Sequence, residues 1–184
     1  MYFHNLIDLI EKTTITVKDS KNNNVNSLYD LPLYLNKKIK RFKYYNKLIF
    51  IGNGGSAAIA NHLANDFNKN AGIKSISFSD SSSLTCLAND YGYENVFLKS
   101  LEFHALSGDI LFAISSSGKS QNILRAVKYA LKNNITTITF SGFKNTNPLR
   151  KLGHLNVYVP NGKYGYVELS HFNICHYIID YFCN

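Results

Sequence analysis

The sequence predicts an α/β fold, a parallel sheet covered by helices on both faces. Three observations carry this. Five short apolar runs, 47–51, 73–78, 110–114, 135–140 and 155–159, alternate with stretches of helical spacing. Two of the runs end in loops of small residues, Gly52-Asn53-Gly54-Gly55-Ser56 and Ser115-Ser116-Ser117-Gly118-Lys119-Ser120. The run Ile110-Leu111-Phe112-Ala113-Ile114 is apolar at every position, as in a strand buried on both faces. Right-handed βαβ crossovers then give a five-stranded parallel sheet.

Two helices precede the first strand. Residues 2–12 carry Phe3, Leu6, Ile7 and Ile10 at helical steps, and the β-branched run Thr13-Thr14-Ile15-Thr16-Val17 leaves the end of that helix open. Residues 19–27 are polar and Asn-rich, a loop. Residues 28–45 place Leu31, Leu35, Ile39 and Phe42 on one face, with Pro32 near the start. In this position such helices pack on a partner subunit.

After strand 47–51 a helix begins at Ser56 and runs to about Asn68, broken by Asn70-Ala71-Gly72. Strand 73–78 follows, then a polar loop, 79–83. Residues 94–106 form a helix with Val96, Phe97, Leu101 and His104 in register. Strand 110–114 leads through the Ser-rich loop into a helix from Gln121 to Leu131. Strands 135–140 and 155–159 come next, the last closed by Pro160, and a final helix spans Tyr166 to Phe182.

The 184 residues suit one domain with a full core. No apolar run approaches the ~20 residues of a membrane span, and residues 1–8 lack the features of a signal peptide, so the chain reads as cytoplasmic. Its three cysteines, Cys86, Cys175 and Cys183, form no CxxC pair and read as buried thiols. The net charge of +8 is concentrated in Lys37-Lys38-Ile39-Lys40-Arg41-Phe42-Lys43. No nucleic-acid-binding motif accompanies it, so it reads as a solvated helix face or an anion-attracting rim.

Ligands of open α/β sheets sit at the carboxyl ends of the strands, where both small-residue loops lie. Glycines let the backbone approach a ligand, Ser56 is placed to cap the helix that follows, and free helix N–H groups bind anions. Ser115, Ser116, Ser117 and Ser120 add four hydroxyls, a cradle for a phosphate. Gly118-Lys119-Ser120 looks like the end of a Walker A loop, but Ala113 stands where that motif needs glycine. Gly52-x-Gly54-x-x-Ala57 satisfies the relaxed dinucleotide fingerprint, and Asp80 ends the next strand where a ribose-binding acid would lie. A nicotinamide cofactor therefore stays open, although a separate Ser-rich cradle argues against it. His62 and Asp66 share one face of their helix at i, i+4. Glu168 and His176, eight residues apart, fall within about 80° on the last helix, with His171 three after Glu168. Two such helices offer zinc ligands or an acid/base pair for moving a proton α to a carbonyl.

Gly52-Asn53-Gly54-Gly55-Ser56 with His62, Asn89-Asp90-Tyr91-Gly92-Tyr93, Gly108-Asp109-Ile110-Leu111, the loop through Ser120 and the Glu168…His176 helix together resemble the phosphoheptose isomerases, proteins of the sugar isomerase (SIS) domain family. The resemblance runs from the first helices to the last. It implies one SIS domain over residues 1–184, a flavodoxin-like three-layer α/β/α sandwich, with residues 1–45 in the contacts of a homotetramer whose sites lie between subunits. It implies isomerisation of sedoheptulose 7-phosphate to D-glycero-D-manno-heptose 7-phosphate through an enediol, for lipopolysaccharide or capsule. By position, Ser56, Ser115, Ser116, Ser117 and Ser120 would hold the phosphate with Gly54 and Gly55, while Asn53, Asp90 and Glu168 would face the sugar. His62, Asp66, Glu168 and His176 would be the ligands of one zinc ion per site, with His176 as base and Asp66 as its acid partner. Three departures stand out: Asp66 replaces Glu, Glu168 replaces Gln in many members, and 161–166 lacks an Asp-Arg pair. A non-catalytic SIS relative that binds the bacterial replication initiator is the competing expectation; it lacks the histidine that His176 supplies here.

Overall fold

A computed structural model describes residues 1–18 and 25–183, so positions 19–24 of the expected polar loop lie outside it. The chain order is α1 (Tyr2–Glu11), β1 (Thr14–Val17), α2 (Leu31–Ile39), β2 (Leu48–Ile51), α3 (Gly55–Lys69), β3 (Ser75–Ser77), α4 (Ser81–Tyr91), α5 (Val96–His104), β4 (Ile110–Ser115), α6 (Gln121–Lys132), β5 (Thr136–Ser141), β6 (Leu155–Tyr158) and α7 (Tyr164–Cys183). The sheet order is β1-β6-β5-β4-β2-β3.

Five strands are parallel, as the alternation predicts. The sixth is a correction. The β-branched run after α1 pairs antiparallel with β6, Thr14 opposite Tyr158 and Val17 opposite Leu155. Two-heavy-atom Cβ groups favour the pleated surface over a continued helix.

Alternate residues of the central strands feed two cores. Leu48, Phe50, Ile110, Phe112, Ile138 and Phe140 face α3 and α7, together with Leu9 of α1 and Leu35 of α2. Phe50 and Phe112 stack at 4.8 Å between ring centroids, and Phe67 of α3 stacks on Phe50 at 5.7 Å. Ile49, Ile51, Leu111 and Ala113 face α5 and α6. A three-layer α/β/α sandwich results. Burying each of the Leu, Ile and Phe side chains among these stabilises the fold by about 1.5–3 kcal/mol.

The connectivity sets the site. From β2 the chain enters α3 on one face, while from the adjacent β4 it enters α6 on the other. The two strands therefore straddle the topological switch point, where a crevice opens beyond their carboxyl ends. Residues 52–55 and 116–120 rim it.

Two helical readings change. The basic stretch 37–43 is only partly helical, because α2 ends at Ile39. The expected polar loop 79–83 instead starts α4, with Asp80 as N-cap accepting from Ser83 N at 2.8 Å and Ser82 Oγ at 2.7 Å. No residue of α4 is buried, so its apolar period is weak. Asp80 is thereby committed to capping rather than poised for a ribose, which weighs against a dinucleotide site. The cysteines also differ from expectation: Cys175 alone is buried, and burial pushes its thiol well above the ordinary value, while Cys86 and Cys183 are exposed. Among the described residues no helix is long and apolar enough to cross a membrane.

Candidate active site

The crevice holds a cavity of ≈ 250 Å³ lined by Asn53, Gly54, Gly55, Ser56, Ile114, Ser115, Ser116, Ser117, Ser120, Tyr164 and Glu168. The loop after β2 is shaped by its glycines. Gly54 sits at φ +54°, and a Cβ on Gly52 would collide with the Ser56 carbonyl. Gly54, not Ser56, is the N-cap of α3, and no side chain caps that helix. Ser56 instead lies buried in the first turn. At the second loop Ser120 is the N-cap of α6, again without a side-chain cap bond. Two uncapped helix N-termini thus open on one cavity, each presenting free N–H groups and the positive end of a dipole.

The hydroxyls match this polarity. Ser115 Oγ and Ser120 Oγ are 3.3 Å apart, and Ser117 Oγ accepts from Lys119 N at 3.3 Å. Ser116 is buried, and its Oγ has no hydrogen-bond partner among the described residues. An orphaned hydroxyl in a cavity rimmed by N–H donors is suited to a multivalent oxyanion.

Asn53 is held by a clamp. Its amide pairs reciprocally with that of Asn122, at 2.9 and 3.0 Å, and its Oδ1 also accepts from the Tyr93 hydroxyl at 2.9 Å. Asn122 is buried in the first turn of α6. The clamp ties the β2 loop to the start of α6 and to the turn after α4.

A second group lies further along α3 and α7, with His62 exposed and Asp66 and His176 half-buried. His62 Nε2 and Asp66 Oδ2 are 3.0 Å apart. One ligand atom each from His62, Asp66 and His176 falls within 4.8 Å of the others. The rings of His62 and His176 are 5.0 Å apart, and Phe172 packs edge-on against both, at 5.1 and 4.5 Å. Two imidazoles and a carboxylate are a zinc-type donor set, and the spacing fits one ion after a small inward movement.

Glu168 stands apart from that group. It lines the cradle, and a Cβ on Gly55 would collide with its whole carboxylate. The helix rise explains this: eight residues turn back to the same face but advance about 12 Å along the axis. Gly55 and His62 are similarly separated by about 10 Å. Asp90 is also not in the cavity lining; it is exposed at the end of α4, with Asn89 Nδ2 donating to its Oδ1 at 2.9 Å and Cys86 Sγ to its Oδ2 at 3.8 Å. His171 is not a site residue. It is fully buried, Nε2 3.2 Å from the Ser141 carbonyl, and desolvation holds its pKa down at about 4.

Tyr93, Asn122 and Tyr164 are site residues that the sequence reading leaves without a role. Their partners are distant in the chain, so no local pattern marks them. A larger cavity, ≈ 460 Å³ between α4 and α5, is walled by Phe78, Leu84, Leu87 and Phe103. Its polar Asp80 and Ser100 are spent on local hydrogen bonds within helices.

Comparison with known proteins agrees with this geometry. The SIS-domain family model matches residues 38–142. Phosphoheptose isomerase 2 of Campylobacter jejuni is 43% identical over 110 residues, spanning 56% of this chain and about half, 55%, of that relative. The phosphoheptose isomerase of Helicobacter pylori strain P12 is 31% identical over 180 residues, 94% of this chain and 93% of its own. The solved phosphoheptose isomerase GmhA of Neisseria gonorrhoeae superposes with a TM-score of 0.80 at 25% identity, covering 97% of this chain and 94% of that one. With crevice, cradle and full-length similarity in agreement, the chain belongs to the SIS-domain family, among the phosphoheptose isomerases.

Proposed function

We propose that the protein isomerises sedoheptulose 7-phosphate to D-glycero-D-manno-heptose 7-phosphate, supplying heptose for lipopolysaccharide or capsule. One observation carries the reading: an oxyanion cradle and an acid/base group lie about 10–12 Å apart along the same two helices. An open seven-carbon chain spans about 9–10 Å from phosphorus to its C1–C2 end, at about 1.25 Å per bond along a zigzag. A triose phosphate would leave the second group out of reach.

In this reading Ser56, Ser115, Ser116, Ser117 and Ser120, with the N–H groups of Gly54 and Gly55, hold the phosphate. Asn53, fixed by Asn122 and Tyr93, faces the sugar hydroxyls, and Asp90 meets the sugar in the assembled protein. His176 removes the proton from C1 of the ketose. Asp66, sharing a proton with His62 Nε2, hands it to the C2 oxygen, and a cis-enediol forms. Return of the carbon proton to C2 and loss of the C1 hydroxyl proton complete the aldose. Asp66 is one methylene shorter than glutamate, so its contact with His62 matters more to its placement. His62, Asp66 and His176 would hold zinc, which when bound supplies Lewis-acid polarisation of the sugar oxygens. The base and ligand roles draw on the same His176 ring, and titrating turnover with zinc separates them.

Exposed apolar side chains on three helices support self-association as a homotetramer with sites between subunits: Phe3 and Ile7 of α1, Leu33 of α2, and Tyr177 and Tyr181 of α7. A cytoplasmic location follows from the phosphorylated substrate.

The test is incubation with sedoheptulose 7-phosphate, with and without zinc, following the aldose by NMR. Turnover in either condition supports the reading. Binding without turnover overturns it in favour of a non-catalytic sugar-phosphate protein. Light scattering tests the tetramer, and a monomer at working concentration would sink it.

A further inference from the structure

The cradle contains a contradiction. Every feature of it suits an anion: two uncapped helix N-termini, four hydroxyls around the second loop, and the buried, unpartnered Ser116 Oγ. Yet among the described residues the only charged side chain in its lining is a carboxylate, Glu168, and no cation lines the cavity. That carboxylate is pressed against Gly55, the first residue of α3, where all three of its atoms would collide with a Cβ. Gly55 is the position at which the positive end of the helix is strongest.

We infer that Glu168 is an internal occupant of the phosphate site: its carboxylate stands at the α3 N-terminus in the free protein and is displaced when a sugar phosphate binds. The inference rests on the phosphate-cradle reading above. Two anions cannot share one helix terminus without repulsion, so ligand binding includes the work of moving Glu168 away. Nothing covalent ties the side chain there, and rotation about its side-chain torsions clears the terminus without moving α7.

The consequence is a threshold that every phosphate ligand must overcome. Inorganic phosphate has only the cradle with which to displace the carboxylate. A sugar phosphate long enough to reach His62, Asp66 and His176 has further contacts along α3 and α7. Glu168 therefore weakens every phosphate ligand, but only the bare anion is left with too little binding to compete. A site with a neutral residue at position 168 would be more readily inhibited by phosphate.

The experiment measures binding of inorganic phosphate and of sedoheptulose 7-phosphate by calorimetry in chelator-treated buffer. It uses the full chain, Glu168→Gln and Glu168→Ala, each first shown to melt as a single cooperative unit. The expected result is that both variants bind inorganic phosphate about tenfold more tightly than the unmodified protein. Inhibition of turnover by phosphate should sharpen in parallel. Equal affinities for all three proteins overturn the inference and leave the isomerase reading intact. Weaker binding by the variants overturns it in favour of a cation bridging Glu168 to the phosphate. If none of the three binds either ligand, the cradle reading fails and this inference with it.

Discussion

The two edges of the sheet treat polar groups in opposite ways. At the amino edge, just before β4, Asp109 is fully buried and completely satisfied. Its Oδ1 accepts from Asn46 Nδ2 and Lys47 N, both at 3.0 Å, and its Oδ2 from Lys47 Nζ and Leu106 N, both at 2.9 Å. At the carboxyl edge of the same strands, two helices start without side-chain caps and Ser116 Oγ has no partner among the described residues. One edge is finished by folding alone; the other is left with donors open to water or a ligand. Polar groups that cost stability when unpaired mark where binding energy is to be gained.

The contrast predicts which property each substitution damages. The largest effect belongs to the histidine end of the site. His176→Ala should lower kcat by about a hundredfold to ten-thousandfold, the range for loss of a general base, while calorimetric phosphate affinity stays unchanged. Activity within tenfold of the original would remove His176 from the mechanism. Asp109→Ala should act on the fold instead. It strands the Lys47 ammonium and two backbone N–H groups, with an expected loss of about 3–5 kcal/mol in denaturant unfolding. A loss below about 1 kcal/mol would show that water reaches the knot.

The same contrast explains what was legible in the sequence. Both site loops were, because the glycines and serines that shape them are adjacent in the chain. So were the five parallel strands, whose apolar runs need no partner to be recognised. The edge strand Thr14–Val17 was not, since four half-exposed β-branched residues fit a helix end equally well. Helix α4 was missed because none of its side chains is buried. Glu168 and His176 were placed on one helix face by their angle, but the axial rise of about 12 Å divides them between the two ends of the site. The Asn53–Asn122–Tyr93 clamp joins residues 40 and 69 positions apart, and only tertiary structure shows it.

His171 offers a third, smaller way to compare buried groups. Unlike Asp109 it is buried incompletely satisfied, with Nδ1 unpartnered among the described residues, and desolvation depresses its pKa to about 4. Below about pH 6.5 the unfolded chain takes a proton that the folded chain refuses. The His171 contribution is therefore complete at pH 7 and is lost as pH falls from about 6.5 towards 4, by about 3 kcal/mol in all. Urea titrations across that window should show it. His171→Leu should flatten this acid limb, because the Ser141 carbonyl keeps its bond from Val159 N. An unchanged slope would assign the limb to other groups.

Ser116→Ala tests the open edge most directly, with the smallest effect of the set. The Oγ has no partner among the described residues, so its removal deletes a buried, unpaired polar atom and no hydrogen bond seen there. Such a change is near neutral for stability, within about 0.5 kcal/mol. The same atom is one of the few donors in the cradle not already engaged, so a phosphate that binds there loses one charge-assisted hydrogen bond. That loss corresponds to about a tenfold weaker Kd for sedoheptulose 7-phosphate, with kcat retained. The split is the test. If Ser116→Ala lowered stability by 2 kcal/mol or more without touching Kd, the hydroxyl would belong to the fold like Asp109, and the carboxyl edge would be no more open than the amino edge.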